Sequence, residues 1–482
     1  MKPLMKYFLL TSVLTTCIVM SALSFDELDR TKRPDAKPAP AISLPDIQKT
    51  SLSNGLQVWL VEQHELPTFA FNLVVQAGSD HDPVTMPGLA TMTADVLDEG
   101  TTTRDALAIS EELESMGASI NVNAGTDGSF MTLNALSKHL DRALAVFSDV
   151  LLNPSFPEKE FDRLKKQRLT SLIQQKSQPA TIANNAFSFL LYGSNHPYGN
   201  NSFGTEASIN AMTRDDLMKF YQTYYTPTNA TLIIVGDLKL SDIASKLEAS
   251  LQAWAKKDVS PLTLTSAPVI DKMRIYLIDK PGAAQSEIRV GYPALSRNTP
   301  DFFPVLTMNR MLGGQFSSRI NMNLREKHGY TYGARSGFSF YKNPGPFVAT
   351  APVVTEKTDS SLKELLYEIN LMREQGMSED ELKFVKNGLI GGFALTFETP
   401  GQIAGALQGI VLYGLPDDYF ATYLQNIERV SMDDVQRVAK QYLDTSKMLA
   451  LIVGDLAKIK SGVVSLNAAE TIECDLDGKP KQ

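Results

Sequence analysis

The sequence contains few of the residues that build disulfides and metal sites. Its 482 residues include only two cysteines, Cys17 and Cys474, too few for a disulfide framework or a cysteine zinc site. None of the five histidines has a second histidine three to five residues away, and they stand at positions 64, 81, 139, 196 and 328. No helix therefore offers a paired-histidine zinc site.

Other motifs of catalysis and binding are also missing. There is no G-x-S-x-G elbow and no Walker loop, and the paired glycines at 313–314 and 391–392 lack the spacing of a dinucleotide site. The formal net charge is -8 without long lysine or arginine runs, which disfavours nucleic-acid binding. The chain is 43% hydrophobic and 21% charged, which excludes a mostly disordered or polytopic membrane protein.

The N-terminus resembles a targeting segment. Lys2 and Lys6 precede an apolar run over residues 7–22, which is short for a spanning helix of about 20 residues. A small-residue cleavage site follows, so we expect residues 1–24 to be a signal peptide, with an uncleaved or lipidated inner-membrane anchor as the alternative. Residues 25–47 are polar and proline-rich and are predicted to be a linker. These features indicate a bacterial periplasmic protein.

An internal repeat divides the remaining chain. A segment starting Thr-Arg-Asp-Asp-Leu at 213 and ending Leu-Ile-Ile-Val-Gly-Asp-Leu at 238 aligns without a gap with one starting Ser-Met-Asp-Asp-Val at 431 and ending Ala-Leu-Ile-Val-Gly-Asp-Leu at 456. A second echo pairs Leu-Tyr-Gly at 191–193 with Leu-Tyr-Gly at 412–414. Each main copy begins with a capping box and is predicted to run from a helix into a strand. The repeat indicates two homologous halves.

Strand and helix patterns alternate through both halves. Asn54-Gly55 between two strand patterns predicts a hairpin, and residues 69–77 predict another strand. Apolar residues at helical spacing predict helices over 106–116, 141–152 and 158–175. We expect a first domain at 48–255, a linker at 256–271, a second domain at 272–465 and a polar tail at 466–482.

Residues 88–101 read Gly-Leu-Ala-Thr-Met-Thr-Ala-Asp-Val-Leu-Asp-Glu-Gly-Thr. This segment resembles the signature helix G-L-A-H-x-x-E-H-x-x-x-x-G-T of the pitrilysin/insulinase-type zinc metallopeptidases, the inverzincins, in their mitochondrial processing peptidase-like branch. The resemblance extends over residues 48–456. It implies an α+β fold with two homologous halves, each a mostly antiparallel β-sheet covered by helices. Further similar motifs stand at 116–118, 204–206, 225–227, 235–237, 312–319, 324–327 and 398–400.

The signature helix lacks its functional residues. By the resemblance, the two histidine ligands fall on Thr91 and Asp95, the general-base glutamate on Ala94, and the third ligand on Ser171. Threonine is a poor zinc ligand at neutral pH, alanine cannot activate water, and one aspartate is not the three protein ligands that a catalytic zinc requires. We therefore expect no metal and no other cofactor in this chain.

The second half retains an arginine and a tyrosine that are similar to a pair in the family. Family members place this pair opposite the zinc, and here it falls on Arg325 and Tyr332. We expect Arg325 in the last turn of a helix that Gly329 ends, and Tyr332 on the following strand. Together they would hold a peptide carbonyl and stabilise its oxyanion. The alternative is a surface arginine and a half-buried strand tyrosine.

The resemblance also implies a peptide-binding edge strand. Residues 118–124 would form it, with Asn121 and Asn123 as polar side chains along it. Main-chain hydrogen bonds to a strand edge bind peptides with little demand on their sequence.

Two functions follow from these features. In the first, the chain is inactive alone and is the non-catalytic subunit of a heterodimeric zinc metalloendopeptidase, with zinc in an H-x-x-E-H sister subunit and peptides cleaved in a closed chamber. A homodimer is the fallback assembly. In the second, it is an inactive paralogue acting as a structural or peptide-binding scaffold.

Overall fold

A computed structural model describes residues 46–481. The predicted signal peptide or anchor at 1–24, and the predicted linker at 25–47 except for its last two residues, lie outside the described residues. Within the described part, no helix is both long and apolar enough to cross a membrane.

The first half contains a six-stranded sheet. Its strand order is β1-β2-β6-β3-β5-β4, and neighbours are antiparallel except for the parallel pair β2 and β6. The predicted hairpin at Asn54-Gly55 is present, since β1 and β2 pair across it and Gly55 has a φ of 91°. The strands are β1 Gln48–Ser51, β2 Gln57–Glu62, β3 Thr68–Val75, β4 Ser119–Ala124, β5 Ser129–Leu136 and β6 Ala230–Gly236.

Most helices of the first half cover this sheet, and one of them packs on the sheet of the second half. The three helices predicted over 106–116, 141–152 and 158–175 correspond to α2, α3 and α4. The helices are α1 Leu89–Leu97, α2 Ala106–Glu114, α3 Leu140–Leu152, α4 Glu158–Gln175, α5 Pro179–Tyr192, α6 Glu206–Ala211, α7 Arg214–Tyr224 and α8 Leu240–Leu251.

The second half repeats this architecture. Its sheet has the order β12-β7-β11-β8-β10-β9, with parallel pairs at β12–β7 and β7–β11. Its strands are β7 Arg274–Asp279, β8 Gln285–Leu295, β9 Arg335–Phe338, β10 Gly345–Val354, β11 Leu449–Gly454 and β12 Glu470–Cys474. Its helices are α9 Phe302–Leu312, π-helix Met322–Lys327, α10 Thr358–Gln375, α11 Glu379–Phe393, α12 Pro400–Tyr413, α13 Tyr419–Arg429, α14 Met432–Tyr442 and α15 Leu456–Ser465.

The repeat found in the sequence is a repeat in structure. Capping boxes begin both α7, at Thr213 with Asp216, and α14, at Ser431 with Asp434. Each helix leads into a central strand, β6 or β11. The predicted α+β fold of two similar halves is therefore confirmed.

The polar tail is corrected by the structure. Residues 470–474 inside it form β12, which pairs in parallel with β7 at the edge of the second sheet. Strand β12 has only five residues, two of them glutamates, so its sequence is too short and too charged to give a clear strand pattern. The predicted linker at 256–271 contains no helix or strand.

One helix of each half packs on the sheet of the other half. Helix α5 lies on β8 and β11 of the second sheet, and α12 lies on β3 and β6 of the first. This explains why the central strands are apolar without alternation: Ile234 faces the helices of its own half, while Ile233 faces α12. We call α5 and α12 the exchanged helices.

Each exchanged helix also forms one polar contact with the sheet that it covers. Gln408 of α12 accepts a hydrogen bond from the buried Asn72 of β3 at 2.9 Å. Asn184 of α5 accepts one from the buried Arg289 of β8 at 3.1 Å. Because a buried polar group without a partner is costly, these pairs fix the position of each helix on the foreign sheet.

Candidate functional site

The signature helix α1 starts at a buried carboxylate. Asp82 accepts hydrogen bonds from the backbone N–H groups of Gly88 and Ala90, both at 2.7 Å. These groups have no partner within the helix, so the carboxylate takes the place of a side-chain cap. Burial raises the pKa of Asp82 to about 7, although the two backbone hydrogen bonds oppose the rise.

A buried arginine joins the two positions at which the resemblance places histidine ligands. Arg168 of α4 forms an ion pair with Asp95 and donates a hydrogen bond to Thr91 Oγ1 at 2.9 Å. The Arg168 side chain is 4% exposed, whereas that of Asp95 is 43% exposed. A guanidinium therefore lies in contact with both positions at which the resemblance places histidine ligands.

Carbonyl groups and an aromatic ring complete the environment of this guanidinium. Arg168 Nη1 lies 3.3 Å from the Gly88 carbonyl oxygen and 3.5 Å from that of Phe203, and the guanidinium lies 4.6 Å from the Phe203 ring centroid. Thr91 in turn donates to the Ser202 carbonyl at 2.7 Å. The arginine thus links α1, α4 and the loop before α6.

The residues at this position do not fit a zinc ion. A permanently charged guanidinium already contacts Thr91 and Asp95 and would repel a divalent cation. Ala94, at the general-base position, is fully buried in the core, and Ser171, at the third ligand position, is half-buried one turn after Arg168. In the described part of the chain, no group of three or more His, Cys, Asp or Glu side chains is arranged to hold a metal.

Arg168 was not predicted as a site residue. Its place three residues before Ser171 puts it on nearly the same face of α4, which could have indicated a role at this position. A lone arginine in a charged helix is ordinarily a solvated residue, and only the packing of α4 against α1 shows that it is buried.

The predicted peptide-binding strand lies at an edge. Strand β4 pairs with β5 on one side, and no other described strand pairs with its outer side. Asn121 and Asn123 are exposed along it, and Asn123 donates to Asn121 Oδ1 at 3.3 Å. Helix α1 packs beside this strand, so the edge adjoins the Arg168 network.

Arg325 occupies the predicted last turn of a helix, here a π-helix. Gly329 follows it with a φ of 65°, and its N–H donates to the Arg325 carbonyl at 3.0 Å, which ends the helix as expected. The guanidinium lies 4.7 Å from the centroid of the Phe316 ring, and Nε lies 3.3 Å from Glu326 Oε1. A π-helical turn often marks a functional site.

Tyr332 does not lie on a strand as predicted. It lies in a bend before β9, and it is 89% exposed. The Gly333 N–H donates to Thr331 Oγ1 at 3.0 Å and closes a turn around Tyr332, so β9 begins only at Arg335. Arg325 contacts Glu326 and Phe316, and among the described residues no hydrogen bond or cation–π contact joins it to Tyr332.

A buried polar network supports the π-helix from behind. Asn323 donates to Glu364 at 2.9 Å and to Glu368 at 2.6 Å, and both glutamates belong to α10. Burial raises the pKa of Glu368. Sequence analysis did not identify this network because its members lie on two elements with no shared motif.

Comparison with protein families gives two matches. Residues 57–198 match "Insulinase (Peptidase family M16)", and residues 211–389 match "Peptidase M16 inactive domain".

Individual relatives agree with these matches. The "Non-peptidase homolog YmxG" of Helicobacter pylori is 26% identical over 405 residues, covering 83% of this chain and 92% of that protein. A crystal structure of a peptidase M16 inactive domain from Pseudomonas fluorescens is 30% identical, with a TM-score of 0.80, over 85% of this chain and 98% of that one. The first half of the periplasmic protease PqqL from Escherichia coli shares the fold, with 16% identity, a TM-score of 0.73 and coverage of 89% and 96%.

Proposed function

Because the chain belongs to the insulinase family of peptidases (M16), we propose that it is the non-catalytic subunit of a heterodimeric zinc metallopeptidase. A sister chain with an H-x-x-E-H helix would hold the zinc and the general base. This chain would supply Arg325 and Tyr332 and one half of a chamber that encloses peptides. Export to the periplasm, inferred from residues 1–24, is part of the proposal.

The observation that carries the proposal is a contrast between the two halves. In the first half, Arg168 contacts both degenerate ligand positions. In the second half, the Tyr332 hydroxyl and the Arg325 guanidinium stay accessible on the surface, 89% exposed for Tyr332 and 37% for the Arg325 side chain. An exposed phenol and guanidinium can donate hydrogen bonds to a carbonyl oxygen that another chain presents.

The chemistry of such a contribution is electrostatic. As the scissile carbonyl becomes tetrahedral, negative charge develops on its oxygen, and donors fixed nearby stabilise it. Arg325 is fixed by the Phe316 ring and by the π-helix, whereas Tyr332 would have to be fixed by the partner interface.

The test uses the complex formed by co-expression with a sister chain carrying H-x-x-E-H. Tyr332→Phe removes one hydroxyl and should lower kcat by roughly 10²–10³, the scale for loss of one oxyanion donor. Arg325→Ala should lower kcat if it stabilises the oxyanion, or raise KM if it only holds the peptide. The double variant should lose less than the product of the two effects, since both groups would contact one carbonyl.

A matched control is Tyr367→Phe, because Tyr367 is 52% exposed on α10 and lies outside the proposed contact. It should leave the rate unchanged. Wild-type turnover in both Arg325→Ala and Tyr332→Phe, with the complex intact, would contradict the proposal.

A scaffold function is the second candidate, and the free edge of β4 favours it. A strand edge can bind a peptide by strand addition without any metal or partner. Failure of any sister chain to co-purify, together with peptide binding that an Asn121→Pro change abolishes, would favour this function over the first.

A further inference from the structure

A large groove lies apart from Arg325 and Tyr332. It has a volume of about 960 Å³, at the upper end of the roughly 300–1,000 Å³ range of ligand pockets. Its walls are α4, α5, the loop 199–205 with α6, and the C-terminal turn at 476–479. Neither Arg325 nor Tyr332 lines it.

The C-terminal turn forms a well-defined wall of this groove. Gly478 has a φ of 85° and packs so closely on α5 that a Cβ there would lie 3.1 Å from atoms of Ala186. The Asp475 N–H donates to the Lys479 carbonyl at 2.9 Å and closes the turn. These residues, which were predicted to be part of a polar tail, are therefore held against α5 at the wall of the groove.

Apolar side chains of the groove are unusually accessible. Ile173 of α4 is 70% exposed, Val84 is 47% exposed, and Leu476 of the C-terminal turn is 37% exposed. Large apolar side chains from three separate segments facing one cavity indicate a binding surface.

Side-chain amides that are open to solvent also line the groove. The side chains of Gln175, Asn185 and Asn210 line the groove, and none forms a hydrogen bond with any residue from 46 to 481. Asn185 is half-buried on α5, and neither polar atom of its amide is fully buried, so both can bond to a ligand in the groove. A primary amide offers both a donor and an acceptor, which is what the main chain of an extended peptide requires.

The groove has no net charge from its lysine, glutamate and aspartate side chains. It is lined by two lysines, Lys176 and Lys479, and by two acidic residues, Glu206 and Asp477, and none of the four forms an ion pair within the described residues. A phosphate, a nucleotide or a strongly charged peptide would meet no excess of opposite charge. The groove therefore suits an uncharged ligand with apolar side chains and a polar main chain.

We propose that this groove binds an extended, uncharged peptide segment whose large apolar side chains pack on Ile173, Val84 and Leu476, while its main chain bonds to Asn185 and the neighbouring amides. The groove belongs to one chain, so this site is independent of the sister subunit of the proposed function. Peptide binding here would give the chain a ligand even when it is alone.

The test is fluorescence anisotropy on the full purified chain. The probe is a fluorescein-labelled, C-amidated octapeptide of alternating leucine and threonine, and its matched control replaces each leucine by glutamate. Ile173→Asp places a charge against the apolar side chains, and Asn185→Leu removes an amide while keeping its size. Each should raise the Kd of the probe about tenfold, the effect of losing one well-formed contact. Leu107→Asp, at a residue 66% exposed on α2 and outside the groove, should leave Kd unchanged.

The binding measurements either support or overturn the peptide-binding groove. Binding of the leucine probe but not the glutamate probe, weakened by both groove variants with circular dichroism unchanged, supports the site. Absence of saturable binding, or equal binding by wild type and both variants, overturns it. Tighter binding of the probe by Asn185→Leu would also overturn it, because it would show that the amide does not bond to the peptide main chain.

Discussion

Arg168 is a buried cation that contacts α1 and the loop before α6, so its removal should lower the stability of the fold. Arg168→Met should lower the free energy of unfolding by about 1–3 kcal/mol, because the Gly88 and Phe203 carbonyls lose a donor and Thr91 loses a partner. The charge of Asp95 is partly solvated, which limits the loss. Urea unfolding of both proteins measures the difference.

Arg163→Met on the same helix is the control for this variant. Arg163 is 49% exposed and pairs with Glu99 and Glu160, so its loss should cost less than about 1 kcal/mol. Equal costs for the two variants would mean that Arg168 does not hold α1 and α4 together.

The contribution of Asp82 to the free energy of unfolding depends on pH. Burial raises its pKa from 3.8 to about 7, so the folded protein binds a proton more tightly than the unfolded chain. The stability that this group contributes is complete below about pH 4 and is lost as the pH rises to about 7, by at most about 1.4 kcal/mol per pH unit. The free energy of unfolding of wild type minus that of Asp82→Asn should therefore fall across this range. A difference that is constant between pH 4 and pH 7 would refute the shift.

At the scale of elements, the π-helix depends on the Asn323 network. Asn323→Ala leaves the buried Glu368 without its hydrogen-bond donor, and Glu368 is 7% exposed. We expect a loss of about 1–3 kcal/mol and faster amide hydrogen exchange in residues 322–327. Asn298→Ala, which removes an exposed hydrogen bond to the Tyr413 carbonyl, should change stability by less than about 0.5 kcal/mol. Unchanged exchange in the π-helix of Asn323→Ala would show that the network does not hold it.

Elements with a local signal were predictable from the sequence. The hairpin at Asn54-Gly55, the capped helices α7 and α14, and the amphipathic α4 each carry their pattern within a few residues. The elements and contacts that were missed depend on distant residues. Strand β12 pairs with the edge that β7 offers, and Arg168 is buried because α1 packs on α4. Tyr332 lies in a loop because Thr331 closes a turn around it. Arg325 and Tyr332 were predicted as site residues from the resemblance alone. The π-helix around Arg325 and the bend at Tyr332 are known only from the structure.

At the scale of the whole molecule, the two halves share their cores through the exchanged helices. Leu407 of α12 is fully buried against the first sheet, although α12 belongs to the second half. Leu407→Ala should therefore lower the free energy of unfolding by about 2–5 kcal/mol. Leu395 is 59% exposed, so Leu395→Ala should cost less than about 1 kcal/mol, as is usual for a surface substitution. If the first half kept wild-type stability in Leu407→Ala, the exchanged helices would not couple the halves.

The exchanged helices also bear on how such a chain arose. A polypeptide with only one half would have left one face of its sheet bare, with strands that are apolar on both sides. Two copies could have covered each other by trading the corresponding helix, as a swapped homodimer does. The present chain has the packing that such an intertwined pair would have if its two copies were joined end to end. Within one chain the two halves can carry different surfaces, with a buried Arg168 beside α1 in the first and an exposed Tyr332 in the second.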